Sequence, residues 1–232
     1  MAHKLWKNDE ELFQLIKKEL YTAVAGDIMD KMGLEHQFLP PQIRPLREGM
    51  VIVGRAMTVL EADCFEALSP DSQNPVMIKS FGLMLEALDD IKPGEVYICS
   101  GASPCYALIG ELMMTRVKMC GGAGAVVNGY SRDTLGIYGV GLPVFSYGPY
   151  AQDQAPRGKV IDFRVPIEMN GVRIQPGDMI FGDIDGVCVI PRLAEDEVFT
   201  RAIEKARGER TVLKAIQGGM TVVEAWRKYG IM

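Results

Sequence analysis

The residues best suited to chemistry are the adjacent Arg132 and Asp133, in the run Val126-Val127-Asn128-Gly129-Tyr130-Ser131-Arg132-Asp133. They follow a short apolar stretch that reads as a buried strand and a glycine that ends it, a place where open α/β sheets carry ligands. An arginine there can grip a carboxylate in a bidentate fashion or polarise a carbonyl. The neighbouring aspartate can hold a hard cation. The pair also reads as an ordinary ion pair on an exposed loop. Upstream, Gly110-Glu111-Leu112-Met113 stands near the start of a stretch with helical spacing. Backbone N–H groups at such a start bind carboxylates, although Glu111 alone also reads as a first-turn acid that complements the helix dipole.

Other chemistries lack their residues. The two histidines, His3 and His36, leave no basis for a Ser-His-Asp triad or a histidine-rich zinc site. Gly121-Gly122-Ala123-Gly124 follows a helix and precedes a strand, the reverse of a phosphate-binding Rossmann turn, and reads as a tight connection. The cysteines Cys64, Cys99, Cys105, Cys120 and Cys188 are odd in number, widely spaced and without a CxxC pair. They read as reduced, mostly buried thiols. Cys105 has no histidine beside it to make it a nucleophile, and the methionines read as core filler.

The elements that must position these residues alternate in type. Helical spacing covers 9–33, and 36–48 reads as a loop. A strand is expected over 51–59, a loop over 69–75, a short helix over 77–89 and a strand over 95–99. A helix over 106–119 and strands over 125–128 and 142–147 follow. Beyond these, strands 164–168 and 172–174 flank an Asn170-Gly171 hairpin turn, and strands 179–181 and 187–190 close the block. Helices are expected over 195–207, 209–217 and 221–229. The expectation is an α/β fold of one domain over 1–232, with a core over about 22–192 and a helical tail over 193–232.

With 48% hydrophobic and 24% charged residues among 232, the chain has the balance of a globular protein rather than a disordered one. The net charge is −5 and the basic residues are scattered, which argues against nucleic acid as a partner. No apolar run approaches the ~20 residues of a membrane span. The first ten residues are polar and lack the apolar segment of a secretory signal, so a cytoplasmic location is expected.

Glu111, twenty intervening residues and Arg132-Asp133 together resemble the acidic-residue-X20-Arg-Asp signature of the RraA-like family. That family includes 4-hydroxy-4-methyl-2-oxoglutarate / 4-carboxy-4-hydroxy-2-oxoadipate aldolases and regulators of RNase E activity. Gly54-Arg55-Ala56-Met57-Thr58, the run from Gly121 to Val127, Pro143-Val144-Phe145, Pro176-Gly177-Asp178 and Asp183-Ile184-Asp185-Gly186-Val187 fall in family order. The match extends over residues 22–217.

The resemblance implies a swivelling β/β/α-type core with helical N- and C-terminal segments, assembled as a homotrimer or homohexamer with sites between subunits. It implies that Asp133 binds Mg²⁺ or Mn²⁺ and that Arg132 contacts a small 2-oxo acid. The segment Gly110, Leu112 and Met113 would hold the acid's carboxylate through backbone N–H groups, and Glu111 would order a water at the moving proton. Glu209 would reach a neighbouring subunit's site. The activity implied is retro-aldol cleavage of a 4-hydroxy-2-oxo acid, or decarboxylation of an oxaloacetate-like acid, through a pyruvate enolate. The alternative is a non-catalytic regulator that binds a protein partner such as an RNA-degradation enzyme. Two departures bear on substrate: Gly136 stands where the aldolases carry an acid, and Gly-Ala-Ser-Pro-Cys-Tyr at 101–106 differs from the usual pocket segment.

Overall fold

The computed structural model describes residues 5–64 and 72–231. His3 and the first part of the loop expected over 69–75 lie outside them. In chain order the elements are α1 (Asp9–Glu19), α2 (Thr22–Lys31), β1 (Arg44–Pro45), β2 (Ile52–Asp63), α3 (Met84–Asp89), β3 (Glu95–Ser100), β4 (Ala107–Ile109), α4 (Glu111–Met119), β5 (Gly124–Val127) and β6 (Tyr130–Ser131). They continue as α5 (Thr134–Val140), β7 (Val144–Ser146), β8 (Gly158–Phe163), β9 (Ile167–Met169), β10 (Val172–Ile174), β11 (Met179–Asp183), β12 (Gly186–Ile190), α6 (Glu195–Gln217) and α7 (Val222–Tyr229). A single 3₁₀ turn at Pro75–Ile78 precedes α3. The elements form two compact units, residues 36–192 and the two terminal stretches up to 35 and from 193.

The central unit is a mixed α/β fold around one sheet of order β1-β7-β5-β3-β2-β11-β12, with β8 on the far half of β2. The segment β7-β5-β3-β2 is parallel, and the β11–β12 hairpin and β8 are antiparallel to their neighbours. The Arg44 guanidinium on β1 donates to the carbonyls of Ile184 and Asp185 in the β11–β12 turn at 3.1 and 2.7 Å. The two outer edges therefore approach, and the sheet is nearly closed.

Period-two alternation sorts the core. Met57, Val59, Tyr97, Cys99, Ala125 and Val127 face α3, α4 and α5, whose Leu88, Met114, Val117 and Ile137 are buried against them. Ile52, Ala56, Val96, Ile98 and Val126 face the other way, against the β9–β10 hairpin and its Ile167, Met169, Val172 and Ile174. Helices cover one face and a hairpin the other, the β/β/α arrangement. Burying a side chain such as Met114 or Val117 is worth about 1.5–3 kcal/mol.

Five local expectations are corrected. The helix expected over 106–119 starts only at Glu111, because Ala107-Leu108-Ile109 pairs as a parallel strand with β6. A continuous buried apolar triplet has no period of its own, so pairing decided its state. The helix over 9–33 divides where Leu20 and Tyr21 are both extended. Within 77–89 only Met84–Asp89 is α-helical. The strand expected over 164–168 is displaced: Arg164 has φ 55°, and β8 before it and β9 after it carry the pairing. The Asn170-Gly171 turn forms as expected, with φ 50° and 88°. Helices over 195–207 and 209–217 merge into α6, which passes through Gly208.

In the terminal unit, Leu12 and Ile16 of α1, Val24, Ala25 and Ile28 of α2 and Phe199, Ala202 and Ile203 of α6 are buried. Asn8 caps α1 through its side chain at 2.9 Å, and Thr221 with Glu224 forms a capping box on α7. Glu19 accepts from both Arg207, at 2.9 and 2.8 Å, and Arg210, at 2.6 Å. Hydrogen bonding and charge from these arginines hold its carboxyl down at about 2. Among the described residues no helix is long and apolar enough to cross a membrane.

Candidate active site

Three short segments run side by side and end together. β4 pairs in parallel with β6, Ala107 opposite Tyr130 and Ile109 opposite Ser131. The stretch 148–152 joins both: Ser131 N–H donates to Gly148 O at 3.0 Å, Tyr150 N–H to Ser131 O at 2.8 Å and Ala107 N–H to Gln152 O at 2.9 Å. The residues that follow each segment are Gly110-Glu111, Arg132-Asp133 and Asp153-Gln154. The pairing therefore delivers all three pairs to one edge, and Arg132 N–H donates to Ile109 O at 2.9 Å.

Asp133 has a left-handed backbone, φ 57° and ψ 39°, which aspartate tolerates better than most residues. It occupies the N-cap position of α5, yet its side chain makes no capping bond to that helix. Its Oδ2 instead accepts from the N–H of Glu111, the first residue of α4, at 3.4 Å. The Arg132 Nε lies 3.7 Å from the same oxygen, and Arg132 Nη1 is 3.0 Å from Asp153 Oδ1. One guanidinium is thus shared by two carboxylates.

Gly110 makes this approach possible. A Cβ there would lie 2.6 Å from Asp133 Oδ2 and 3.4 Å from Arg132 Cγ. The first intrahelical bond of α4 runs from Met114 N–H to Gly110 O, so the N–H groups of Leu112 and Met113 precede it and face no partner in their own helix.

A cavity of about 480 Å³ opens beside this edge. Gly110, Leu112, Met113, Arg132, Asp133, Asp153 and Gln154 line it. The opposite wall is apolar and comes from Phe81 and from Met84, Leu85 and Leu88 of α3. Within the set singled out from the sequence, Gly110, Leu112, Met113, Arg132 and Asp133 meet at one cavity.

Two members of the set stand elsewhere. The Glu111 carboxylate rests on α5 at Gly136, where an added Cβ would come within 2.2 Å of Oε2; Glu111 does not line the cavity. Gly136, the departure from the aldolase pattern, is the space that this side chain fills. Glu209 belongs to the terminal unit, where it pairs with Lys205, which also reaches Asp27 at 2.8 Å. Sequence reasoning missed Asp153 and Gln154. The polar run Gln152-Asp153-Gln154 before Pro156 was a signal only once its neighbours in space were known.

Among the described residues no group of three or more His, Cys, Asp or Glu side chains converges as a ready cation cage. A single exposed carboxylate at Asp133, with Asp153 near and one arginine between them, fits Mg²⁺ all the same. That ion keeps most of its waters and takes one or two protein carboxylates.

A second acidic cluster lies in the core. Glu61 is 1% exposed; its Oε2 accepts from Cys99 Sγ at 3.6 Å and its Oε1 has no partner among the described residues. Burial first, and then the charge of Asp63, push its carboxyl up to about 8. Asp63 differs: Tyr106 Oη at 2.9 Å and Ser103 N–H at 3.0 Å both donate to its Oδ1.

A model of the Aldolase/RraA family matches residues 22–189, most of the chain. The chain belongs to the RraA-like family. It is 31% identical over 206 residues to a Halalkalibacterium halodurans protein named "Putative 4-hydroxy-4-methyl-2-oxoglutarate aldolase", covering 88% of this chain and 89% of that one. An uncharacterised protein from Pseudomonas syringae pv. tomato superposes with TM-score 0.81 at 25% identity, over 99% of both chains. Streptomyces coelicolor RraAS2, described as an unusual member of the RNase ES inhibitor RraA protein family, superposes with TM-score 0.74 at 22% identity, over 89% of this chain and 98% of that one. The last likeness speaks to the RraA-like fold alone.

Proposed function

We propose that this RraA-like protein is a divalent-metal-dependent carbon–carbon lyase that releases pyruvate from a 4-hydroxy-2-oxo acid, from an oxaloacetate-like acid, or from both. The observation that carries the reading is the meeting of Arg132, Asp133 and the first turn of α4 at one cavity edge. The aldolase name of the Halalkalibacterium relative supports it.

The substrate carboxylate lies on the N–H groups of Leu112 and Met113, where the helix dipole favours negative charge. Arg132 sets its guanidinium at the 2-oxo oxygen, where negative charge develops as the C3–C4 bond breaks and the electron pair moves into the enolate. In the aldol case the C4 hydroxyl loses its proton and C4 leaves as a carbonyl; in the other case C4 leaves as carbon dioxide. Either way C3 of the enolate then takes up a proton. Glu111, whose carboxylate rests against Gly136 outside the cavity lining, would order the water that carries these protons after its side chain turns toward Asp133.

Asp133, with water completing the shell, would hold Mg²⁺ or Mn²⁺, which supplies Lewis acidity at the 2-oxo acid when bound. Asp153 holds Arg132 in place until substrate arrives. Glu209 of a neighbouring copy would complete the water shell in a homotrimer or homohexamer.

The test is pyruvate release, followed with lactate dehydrogenase, from oxaloacetate and a panel of 4-hydroxy-2-oxo acids, with Mg²⁺ or with excess chelator. Turnover that chelator abolishes is expected. Folded, Mg²⁺-supplemented protein inert toward the whole panel would reject the lyase and favour a non-catalytic regulator.

A further inference from the structure

We infer that Arg116 sets the substrate choice of the cavity by taking the second carboxylate of a 2-oxo diacid; this rests on the proposed 2-oxo acid site. The charged residues that line the cavity are Asp89, Asp133 and Asp153 against Arg116 and Arg132. The two arginines differ. Arg132 lies between Asp133 and Asp153 and is assigned to the 2-oxo acid end. Arg116 gives only its Nε to Asp89 Oδ1, at 2.7 Å, and its Nη1 and Nη2 have no partner among the described residues. The end of a guanidinium that carries those two nitrogens matches a carboxylate with two parallel, charge-assisted hydrogen bonds. The bond to Asp89 leaves that end open. Both side chains of the pair are exposed, 47% and 69%, and such a pair contributes little by itself.

Position along α4 supplies the spacing. Leu112, Met113 and Arg116 all line the cavity, and residues three and four apart share a helix face. With a rise of about 1.5 Å per residue, Arg116 stands about one turn, roughly 6 Å, beyond the Leu112 N–H assigned to the first carboxylate. Helix side chains lean toward the N-terminus, so the guanidinium reaches back along a bound chain. A five-carbon diacid fits between the two points. The facing wall of Met84, Leu85 and Leu88 is apolar, and an ion pair formed against it with water displaced is stronger than one in open solvent. In a 4-hydroxy-2-oxo diacid the second carboxylate belongs to the half that leaves with C4. Arg116 thus governs which acid is bound, while Arg132 faces the charge that develops.

The experiment uses the full chain in Mg²⁺ buffer and acids that lack a C4 hydroxyl, so that binding is read apart from turnover. Calorimetry would compare pyruvate, 2-oxopentanoate and 2-oxoglutarate, the last two equal in chain length and different only in the terminal carboxylate. The parent is expected to bind 2-oxoglutarate about tenfold or more tighter than 2-oxopentanoate, the amount that one charge-assisted hydrogen bond supplies. Arg116→Met, which keeps the hydrocarbon stem at a half-exposed position, is expected to bring that ratio to about one, and Arg116→Lys to keep part of it. Added salt should shrink the parent's ratio and leave that of Arg116→Met as it is. A ratio undiminished in Arg116→Met would overturn the assignment and move the second carboxylate to another donor, such as Gln154, whose Nε2 has no partner among the described residues. A parent that binds pyruvate and holds both five-carbon acids alike would overturn it too, with the 2-oxo acid reading intact. If no 2-oxo acid binds, pyruvate included, the functional reading fails and takes this inference with it.

Discussion

Glu61 and Asp133 are both carboxylates on the central unit, and their surroundings are opposite. Glu61 is sealed in the core with a thiol as partner for one oxygen and, among the described residues, none for the other. Asp133 stands half-exposed at the edge of a cavity, with a helix N-terminus on one side and an arginine on the other. A perturbed titration is often the flag of an active site, and here that flag marks Glu61. Near neutral pH a carboxyl pushed to about 8 is mostly uncharged, and a neutral acid is a poor ligand for a hard cation. A cation in the proposed role needs a carboxylate that water can reach, and the loop after β6 offers Asp133. In this molecule the perturbed titration of Glu61 marks a packing problem, and the chemistry is assigned to the carboxylate that water can reach.

The contrast can be broken by exchanging what each acid contributes. The largest effect is expected from Asp133→Asn, which keeps the shape and removes the charge. Losing several kcal/mol of transition-state stabilisation corresponds to a fall of about 10²–10³-fold in kcat/KM for pyruvate release, with no comparable change in thermal stability. The same assay on Gly110→Ala comes next. Its backbone is extended, so alanine is not strained there, but the new methyl would crowd Asp133 Oδ2. Displacing the carboxylate by under an ångström is expected to cost about 10–10²-fold.

The core acid is expected to speak only through stability. A carboxyl whose folded value is raised contributes fully below its unfolded value of 4.5, and the contribution is lost as pH rises through about 8. Glu61→Gln removes that loss. Differential scanning calorimetry should show the variant melting higher than the parent by on the order of a few degrees at pH 9, with the gap closing toward pH 5 and activity retained. A variant that loses activity while keeping its stability would transfer a catalytic role to Glu61.

The smallest effect is expected at a third kind of acid, Glu19, which is largely covered, with 12% of its side chain exposed, and paired with two arginines. Its folded value is lowered to about 2, so its contribution is present above 4.5 and is lost as pH falls through about 2. Glu19→Gln should lower the melting temperature by about a degree or two at pH 7, with the difference vanishing in strong acid.

The sequence made some of this legible and concealed the rest for physical reasons. Arg132, Asp133 and Glu111 were readable because a glycine and a buried strand precede the pair and because the spacing resembles a family signature. The Asn170-Gly171 hairpin was readable because that dipeptide suits two positive φ values. β4 was not, since Ala-Leu-Ile carries no period that distinguishes the start of a helix from a strand. Arg164, with its left-handed backbone, disguised the boundary between β8 and β9. Asp153 and Gln154 enter the cavity edge through pairing of the 148–152 stretch with β4 and β6, a long-range fact without a local signal. The place of Glu111 against Gly136 has the same origin, because it depends on how α4 packs on α5.

The most direct test of the account is Mn²⁺ binding, followed by electron paramagnetic resonance, together with pyruvate release in the same samples of the parent, Asp133→Asn and Glu61→Gln. The account predicts that the parent and Glu61→Gln bind Mn²⁺ and turn over, while Asp133→Asn, still folded, loses both. Undiminished Mn²⁺ binding and turnover in Asp133→Asn would contradict it.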